Sequence, residues 1–523
     1  MEFPHPAYLT GHSTPTDVTE PVRHRWLALV VLCLAIFIST VDTTIVNVAL
    51  PEISRDLHAT TSQLQWVIDS YTIALAGLVL LGGGLADRFG RKRVFMLGLV
   101  MFAVGSLLST VARSAGELIA YRAVMGVGAA LIFPPALSLI AVIFPPDERP
   151  RAIALWTVIG GVGIALGPVI GGVLLNSFWW GSAFLVNIPV TVVGLVGAAA
   201  LLPESRRPGA PPLDLTGGAS SVVTLSGFVY AIIEAPATGW TDPEILLALA
   251  IGLFGALFFV WWERREDNPL FDVRVLANPA VLGGFITLFV FYVVFLGVEF
   301  VIPQYLQSVQ GRTAFAAGII MATIGIGPIL LAPAAPRLTE RFGASALIAS
   351  TLAGLAVGTG VLSLLADVGG LPIVAIGLVV VGVTVGVGFA PSTSTVMNAL
   401  PVAKAGDGSA VNQVARQVGA ALGIALIGTI LAGAYTSKLE SSTRRLTQTQ
   451  AEVARRSIGG AQEVGQAIGG SEGSTLRSSA DDAFEHGAQL ALWAATILTA
   501  GAAGIVLVLL RRSPNLAISQ PGT

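Results

Sequence analysis

The chain has 523 residues, of which 54% are hydrophobic and 11% charged, with a formal net charge of −2 and a mean hydropathy of +0.78. A water-soluble protein of this size would have too little polar residue to clothe its surface, so a soluble enzyme is excluded. The net charge says little about partners, because placement matters more than the sum, and nucleic acid is not among the expected ones.

Apolar runs of about 20 residues recur along the chain, and only helices of about that length cross a bilayer. The start, residues 1–26, is polar and proline-bearing and reads as a cytoplasmic tail. No cleavable export signal is evident, because the apolar run that follows is too long for a signal-peptide core. Fourteen spans are predicted, at 27–49, 63–83, 94–112, 116–143, 151–176, 183–202, 215–235, 243–262, 278–303, 314–335, 345–366, 371–393, 409–433 and 487–510. An even number places both termini on one side. Cys33, the single cysteine, lies in the first span, so no intramolecular disulfide is possible.

Lys and Arg orient the bundle. With a cytoplasmic N-terminus, the inner segments hold Arg88, Arg91, Lys92, Arg93, Arg264, Arg265, Arg511 and Arg512 among others, whereas the short outer links hold only Arg55, Arg113 and Arg312. Both ends are therefore expected in the cytoplasm and the protein in the cell's inner membrane. The stretch 434–486 is external, rich in Ser, Gln, Gly and Glu, and is expected as a loose loop or short surface helices.

LADRFG at 85–90 recurs as LTERFG at 338–343, each just after the second helix of a six-helix unit. Equal placement favours duplication. The expected organisation is a tail (1–26), a six-helix half (27–202), two inserted helices with flanking loops (203–277), a second six-helix half (278–510) and a tail (511–523). One chain then contains both halves needed for alternating access, so a monomer can suffice.

The loop GGLADRFGRKR, 83–93, combines a helix-ending glycine, a carboxylate at a helix terminus and a basic cluster. Its charges either lock one half to neighbouring helix ends or act as a plain positive-inside anchor. Gly83, Leu85, Ala86, Asp87, Arg88, Gly90, Arg91 and Lys92 make this loop similar to the signature between helices 2 and 3 of the major facilitator superfamily. The resemblance implies an all-α polytopic fold with a 6+2+6 arrangement, and a gating role for Gly83, Asp87, Arg88, Gly90 and Arg91, which would stabilise the outward-facing state across the half-interface.

Further stretches resemble the fourteen-helix drug and proton antiporter branch: VDTTIVNVALP at 41–51, WVIDSYTIA at 66–74, LIAYRAVMGVGAA at 118–130, GGVGIALGPVIGG at 160–172, FLVNIP at 184–189 and PQYLQSVQG at 303–311. The resemblance implies that Asp42 recognises protons or cationic substrates and that Arg122 serves proton coupling. Met125 stands where the family arginine motif usually has glutamine. Glu234 fits the branch pattern but sits at a helix edge.

Counting from the outer helix ends places Asp42, Asp69 and Arg122 each roughly 10 Å below the external surface. A lone charge in hydrocarbon costs several kcal/mol, whereas a carboxylate and a guanidinium facing one cavity relieve each other. Asp42 is thus a coupling or substrate group or one arm of a structural salt bridge. Asp69 is either functional or a helix-start group in contact with water. Arginine stays charged, so Arg122 reads as the group that tunes a carboxylate. Gly163, Gly167 and Gly171 recur every four residues beside Pro168, a stripe for tight packing and a bend near the half-interface; the resemblance implies a gating role for these four residues, in which the helix discourages leak and favours exchange, and plain close packing is the alternative. Glu299 is a second carboxylate for cation or proton, with membrane-interface exposure as the rival. Arg416, near an inner helix end, either snorkels, binds a helix terminus or faces the cavity.

The five histidines are dispersed, and neither a metal cluster nor a nucleotide-binding loop is visible, so no cofactor is expected. The expected function is secondary export by alternating access, with external protons exchanged for lipophilic or cationic drugs and toxic compounds. The partners are protons, small-molecule substrates and membrane lipids. A dedicated proton-coupled metabolite or antibiotic exporter is the nearest alternative, and a non-transporting membrane sensor a more distant one.

Overall fold

The computed structural model describes residues 24–511 apart from 208, 211, 365–369 and 402–403. Arg23, Arg512, His5, His12 and most of both tails lie outside the described residues. All fourteen predicted spans are present as helices long and apolar enough to cross a membrane, and no strand occurs among the described residues.

The first six are α1 (Arg25–Asp56), α2 (Thr61–Phe89), α3 (Arg91–Thr110), α4 (Ala115–Ile143), α5 (Arg149–Ser177) and α6 (Ser182–Leu201). Two more follow, α7 (Leu215–Thr238) and α8 (Pro243–Glu263). The chain continues with α9 (Pro279–Val309), α10 (Ala314–Phe342), α11 (Ala344–Ser363), α12 (Leu371–Asn398) and α13 (Ala405–Thr443). Two short helices, α14 (Gln448–Arg456) and α15 (Ile458–Ile468), precede the last span, α16 (Gly470–Arg511).

Sequence accounts for the interruptions. Pro134 and Pro135 supply no N–H, and α4 breaks at Leu131 and Ile132 before resuming at Phe133. In α10, tight turns at Thr323–Gly325 and Ala332–Ala334 sit among Pro328, Pro333 and Pro336. Such breaks are tolerated at membrane depth when neighbouring helices cover the freed backbone groups.

The stretch 434–486 is not a loose loop. α13 runs on to Thr443, α16 begins at Gly470, and α14 and α15 form a cap between them. Thr447 and Gln450 make a reciprocal capping box at the start of α14. The Tyr435 hydroxyl donates to the carbonyls of Ala454 (2.9 Å) and Ser457 (3.2 Å). Ala454, Ile458, Ala461, Val464, Leu476, Ala480 and Phe484 are buried beneath it. Alanines make up much of this buried face, with larger apolar residues scattered singly among polar ones, which is why the segment reads as polar.

The repeated loops have one geometry. Gly90 (φ +113°) and Gly343 (φ +80°) each end one helix and begin the next, in backbone territory that favours glycine. Each donates its N–H four residues back, to Ala86 O and Thr339 O. In each the preceding arginine lies over its neighbour's ring, Arg88 5.9 Å from Phe89 and Arg341 5.3 Å from Phe342.

Hydrogen bonds between the first six and last six spans gather at the end away from these loops. Gln65 Nε2 donates to Ile424 O (3.2 Å) and Ala425 O (3.1 Å), and Gln307 Nε2 to Val48 O (2.9 Å). The cap joins the same end, with Thr61 Oγ1 donating to Arg456 O and His58 3.3 Å from Glu463.

Candidate functional site

Asp42, midway along α1, and Arg122, in the first part of α4, are both fully buried. Arg122 Nη1 lies 2.5 Å from Asp42 Oδ2, the buried ion pair that the depth count allows. Three further helices build the surroundings. Arg122 Nε donates to Val67 O of α2 (3.1 Å), and its guanidinium stands 4.5 Å from the Tyr71 ring. From α6, Asn187 Nδ2 donates to Asp42 Oδ1 (2.9 Å) and to Ser106 Oγ of α3 (2.9 Å). Ser106 Oγ in turn donates to Phe184 O (2.7 Å). Each Asp42 oxygen therefore has a donor, the condition under which a buried charge pair is tolerable. Met125 approaches Arg122 Nη1 through its sulfur at 3.8 Å, so the residue that departs from the family pattern touches the pair directly.

Asp69 stands apart. It lies two residues beyond the carbonyl that receives Arg122 Nε, at the same level, but neither of its oxygens has a hydrogen-bond partner among the described residues. It is fully buried, so the helix-start reading with water contact does not hold. Glu299 on α9 repeats the pattern: fully buried, both oxygens unpartnered, and not exposed at an interface. Arg122 pairs with Asp42, and among the described residues neither Asp69 nor Glu299 has an ion-pair partner.

Asn187, Ser106 and Gln65 were not singled out by the sequence. FLVNIP contains Asn187, and a buried asparagine on an apolar helix was the available signal. Glu234 accepts from Trp66 Nε1 at 2.8 Å, tying α7 to α2. Arg416 lies 5.4 Å from both the Tyr292 and Phe389 rings, between α13, α9 and α12, rather than at a helix terminus.

The glycine stripe faces α1. A β-carbon at Gly163 would overlap Thr40 Oγ1, one at Gly167 would overlap Thr44 Oγ1 and lie 3.0 Å from Val41 O, and one at Gly171 would lie 2.8 Å from Ile45 Cγ1. The half-interface uses the adjacent face of α5 instead. There Gly318 packs on Pro168 O, and Gly172 packs on Ala314 and Phe315 of α10. Expectation and structure differ because a four-residue repeat marks a close-packed face without naming its neighbour. Gly167→Val is expected to cost about 1–3 kcal/mol by overpacking against α1, whereas Gly161→Ala, with nothing within 4 Å, is expected to be silent. Thermal melting of the two purified variants checks the contrast.

In the loop 83–93, Asp87 pairs with Arg91 four residues on (2.9 Å), and Arg93 approaches Glu204 (3.5 Å). Arg91 N–H donates to Ser205 O, and Arg207 N–H to Asp87 O. Gly83 lies 3.5 Å from Pro134 through its missing β-carbon position, and Arg88 is exposed. The loop is thus held to the α6–α7 linker, with no ion pair to the last six spans among the described residues.

Comparisons with known proteins agree with this architecture. The profile of the Major Facilitator Superfamily matches residues 32–424. The multidrug efflux pump LfrA of Mycolicibacterium smegmatis is 34% identical over 95% of this chain and 99% of its own length. The methyl viologen resistance protein SmvA of Salmonella typhimurium is 30% identical over 93% and 97%. A solved bacterial homolog of the human lysosomal transporter Spinster, in an inward-facing and unoccupied conformation, shares the fold at 18% identity, with a TM-score of 0.66 over 95% of this chain and 99% of that one. The chain belongs to the major facilitator superfamily, a superfamily of membrane transporters and not of enzymes.

Proposed function

We propose that the protein is a proton-driven exporter of lipophilic and cationic compounds. It works as a monomer in the inner membrane, with both termini cytoplasmic. The carrying observation is the pair of buried, unpartnered carboxylates Asp69 and Glu299. An isolated carboxylate in an apolar interior is tolerable only as the neutral acid, so each holds a proton in this conformation and is a binding charge for a cation once that proton leaves. Proton and cationic substrate then compete, and competition produces exchange.

Asp42 and Arg122 are balanced already, and their part is to hold α1, α2, α4 and α6 in register. The six-helix halves rock about α5 and α10. The outer end is closed here by Gln65, Gln307 and the cap, and release of the 83–93 loop from the linker 204–207 accompanies the opposite state. The names of the relatives, which include a multidrug efflux pump and a methyl viologen resistance protein, support export of such compounds.

Everted membrane vesicles carrying the protein test the reading. A pH gradient, acid inside, is expected to drive accumulation of methyl viologen and of unrelated lipophilic cations, and dissipating the gradient should abolish it. Accumulation indifferent to the pH gradient would reject proton coupling. Response to one compound alone would favour a specialist exporter.

A further inference from the structure

A second group of carboxylates lies outside the transport interior, at the base of the inserted helices. Asp214 caps the start of α7 and Glu263 ends α8, 7% and 1% exposed. The site is at the end that carries the 83–93 loop, because Leu213 packs against Gly84 and Arg207 binds Asp87 O.

Half of the oxygens here are satisfied. Asp214 Oδ1 accepts from Gly217 N–H (2.7 Å) and from Trp262 Nε1 (2.8 Å), and Glu263 Oε2 accepts from Phe271 N–H (3.1 Å). The remaining two, Asp214 Oδ2 and Glu263 Oε1, have no partner among the described residues. They also converge. A β-carbon at Gly217 would overlap Asp214 Oδ2 and lie 2.6 Å from Glu263 Oε1, so both free oxygens flank one point that only a glycine leaves open.

The surroundings provide no counter-charge. The charges facing Glu263 are Asp214 and Glu266, both acidic. α2 contributes Leu81 and Gly84, which are apolar. Nearby cations are engaged elsewhere: Arg265 stacks 4.4 Å over Trp261, Arg274 donates to Arg264 O, and Lys404 binds Asp272. Two ionised carboxylates whose free oxygens flank one buried point, with no cation beside them, repel strongly, whereas one proton held on Glu263 removes the repulsion.

We propose that Glu263 holds a bound proton beside Asp214, forming a proton site at the base of α7 and α8 that is separate from the carboxylates of the membrane interior. The folded pair holds this proton and the unfolded chain does not, so its stabilisation is present at acid pH and is lost as pH rises through the range where the pair deprotonates.

Thermal melting of the purified protein in detergent, between about pH 5 and 9, tests the site on wild type, Glu263→Gln and Asp214→Asn. An amide is neutral at every pH, so either variant lacks the repulsion that the deprotonated pair feels. Wild type is therefore expected to lose roughly 3 °C or more relative to either variant on going alkaline. Parallel curves would overturn the proposal. Should both variants fail to fold, carbodiimide labelling of the wild type decides. A pH-dependent adduct on Glu263, lost at alkaline pH, supports the bound proton, and absent or pH-independent labelling overturns it.

Discussion

Arg122→Ala is expected to abolish efflux and to destabilise the protein by about 3–5 kcal/mol, because it strands a charge that nothing else neutralises. Asp42 is fully buried, and its other partner, Asn187, is neutral. The same substitution removes the bond to Val67 O and the stacking on Tyr71, so α4 loses its hold on α2 as well as on α1. Adding Asp42→Asn to Arg122→Ala should recover much of the lost stability without recovering efflux. A melting series on the two single variants and the double variant measures the coupling. If both single variants melt like wild type, the pair is not the buried anchor described here.

Glu299→Gln and Asp69→Asn carry the opposite expectation. Neither oxygen pair has a partner among the described residues, and an amide closely matches the neutral acid, so both variants should fold with near-wild-type stability. Their defect should be functional. Without a carboxylate to ionise, a cationic substrate loses its counter-charge, and efflux of methyl viologen is expected to fall at least about tenfold, the effect of about 1.4 kcal/mol in binding. Transport of an uncharged lipophilic compound should be less impaired. Efflux assays on cells expressing each variant separate the two kinds of substrate.

These expectations divide along what sequence carries and what only packing reveals. Fourteen spans were legible because span length is set by bilayer thickness, and apolar runs of that length have no other stable home. The 85–90 and 338–343 loops were legible because a glycine that ends one helix and begins the next, two residues after an arginine, has one geometry, seen at Gly90 and Gly343. Depth was legible too: counting along α1 and α4 brought Asp42 and Arg122 to one level, and they meet.

Azimuth was not. Counting gave Asp69 the same level but could not say that its side chain avoids Arg122. Nor could it say that Gly163, Gly167 and Gly171 turn toward α1 while Pro168 and Gly172 meet α10. Rotation about a helix axis is fixed by neighbours that are distant in sequence. The cap was hidden for another reason, since Ala454, Ala461, Ala480 and Ala483 bury a face without raising hydropathy to the level of a span.

If proton and cationic substrate compete for Asp69 and Glu299, binding of the cation displaces protons into solution. Methyl viologen is added to the purified protein in weakly buffered detergent solution while pH is followed with an indicator dye. Wild type is expected to release protons in proportion to the substrate bound, and the double variant Asp69→Asn with Glu299→Gln to release none. Binding by wild type without proton release, or equal release from the double variant, would mean that proton and cation do not compete at these two carboxylates.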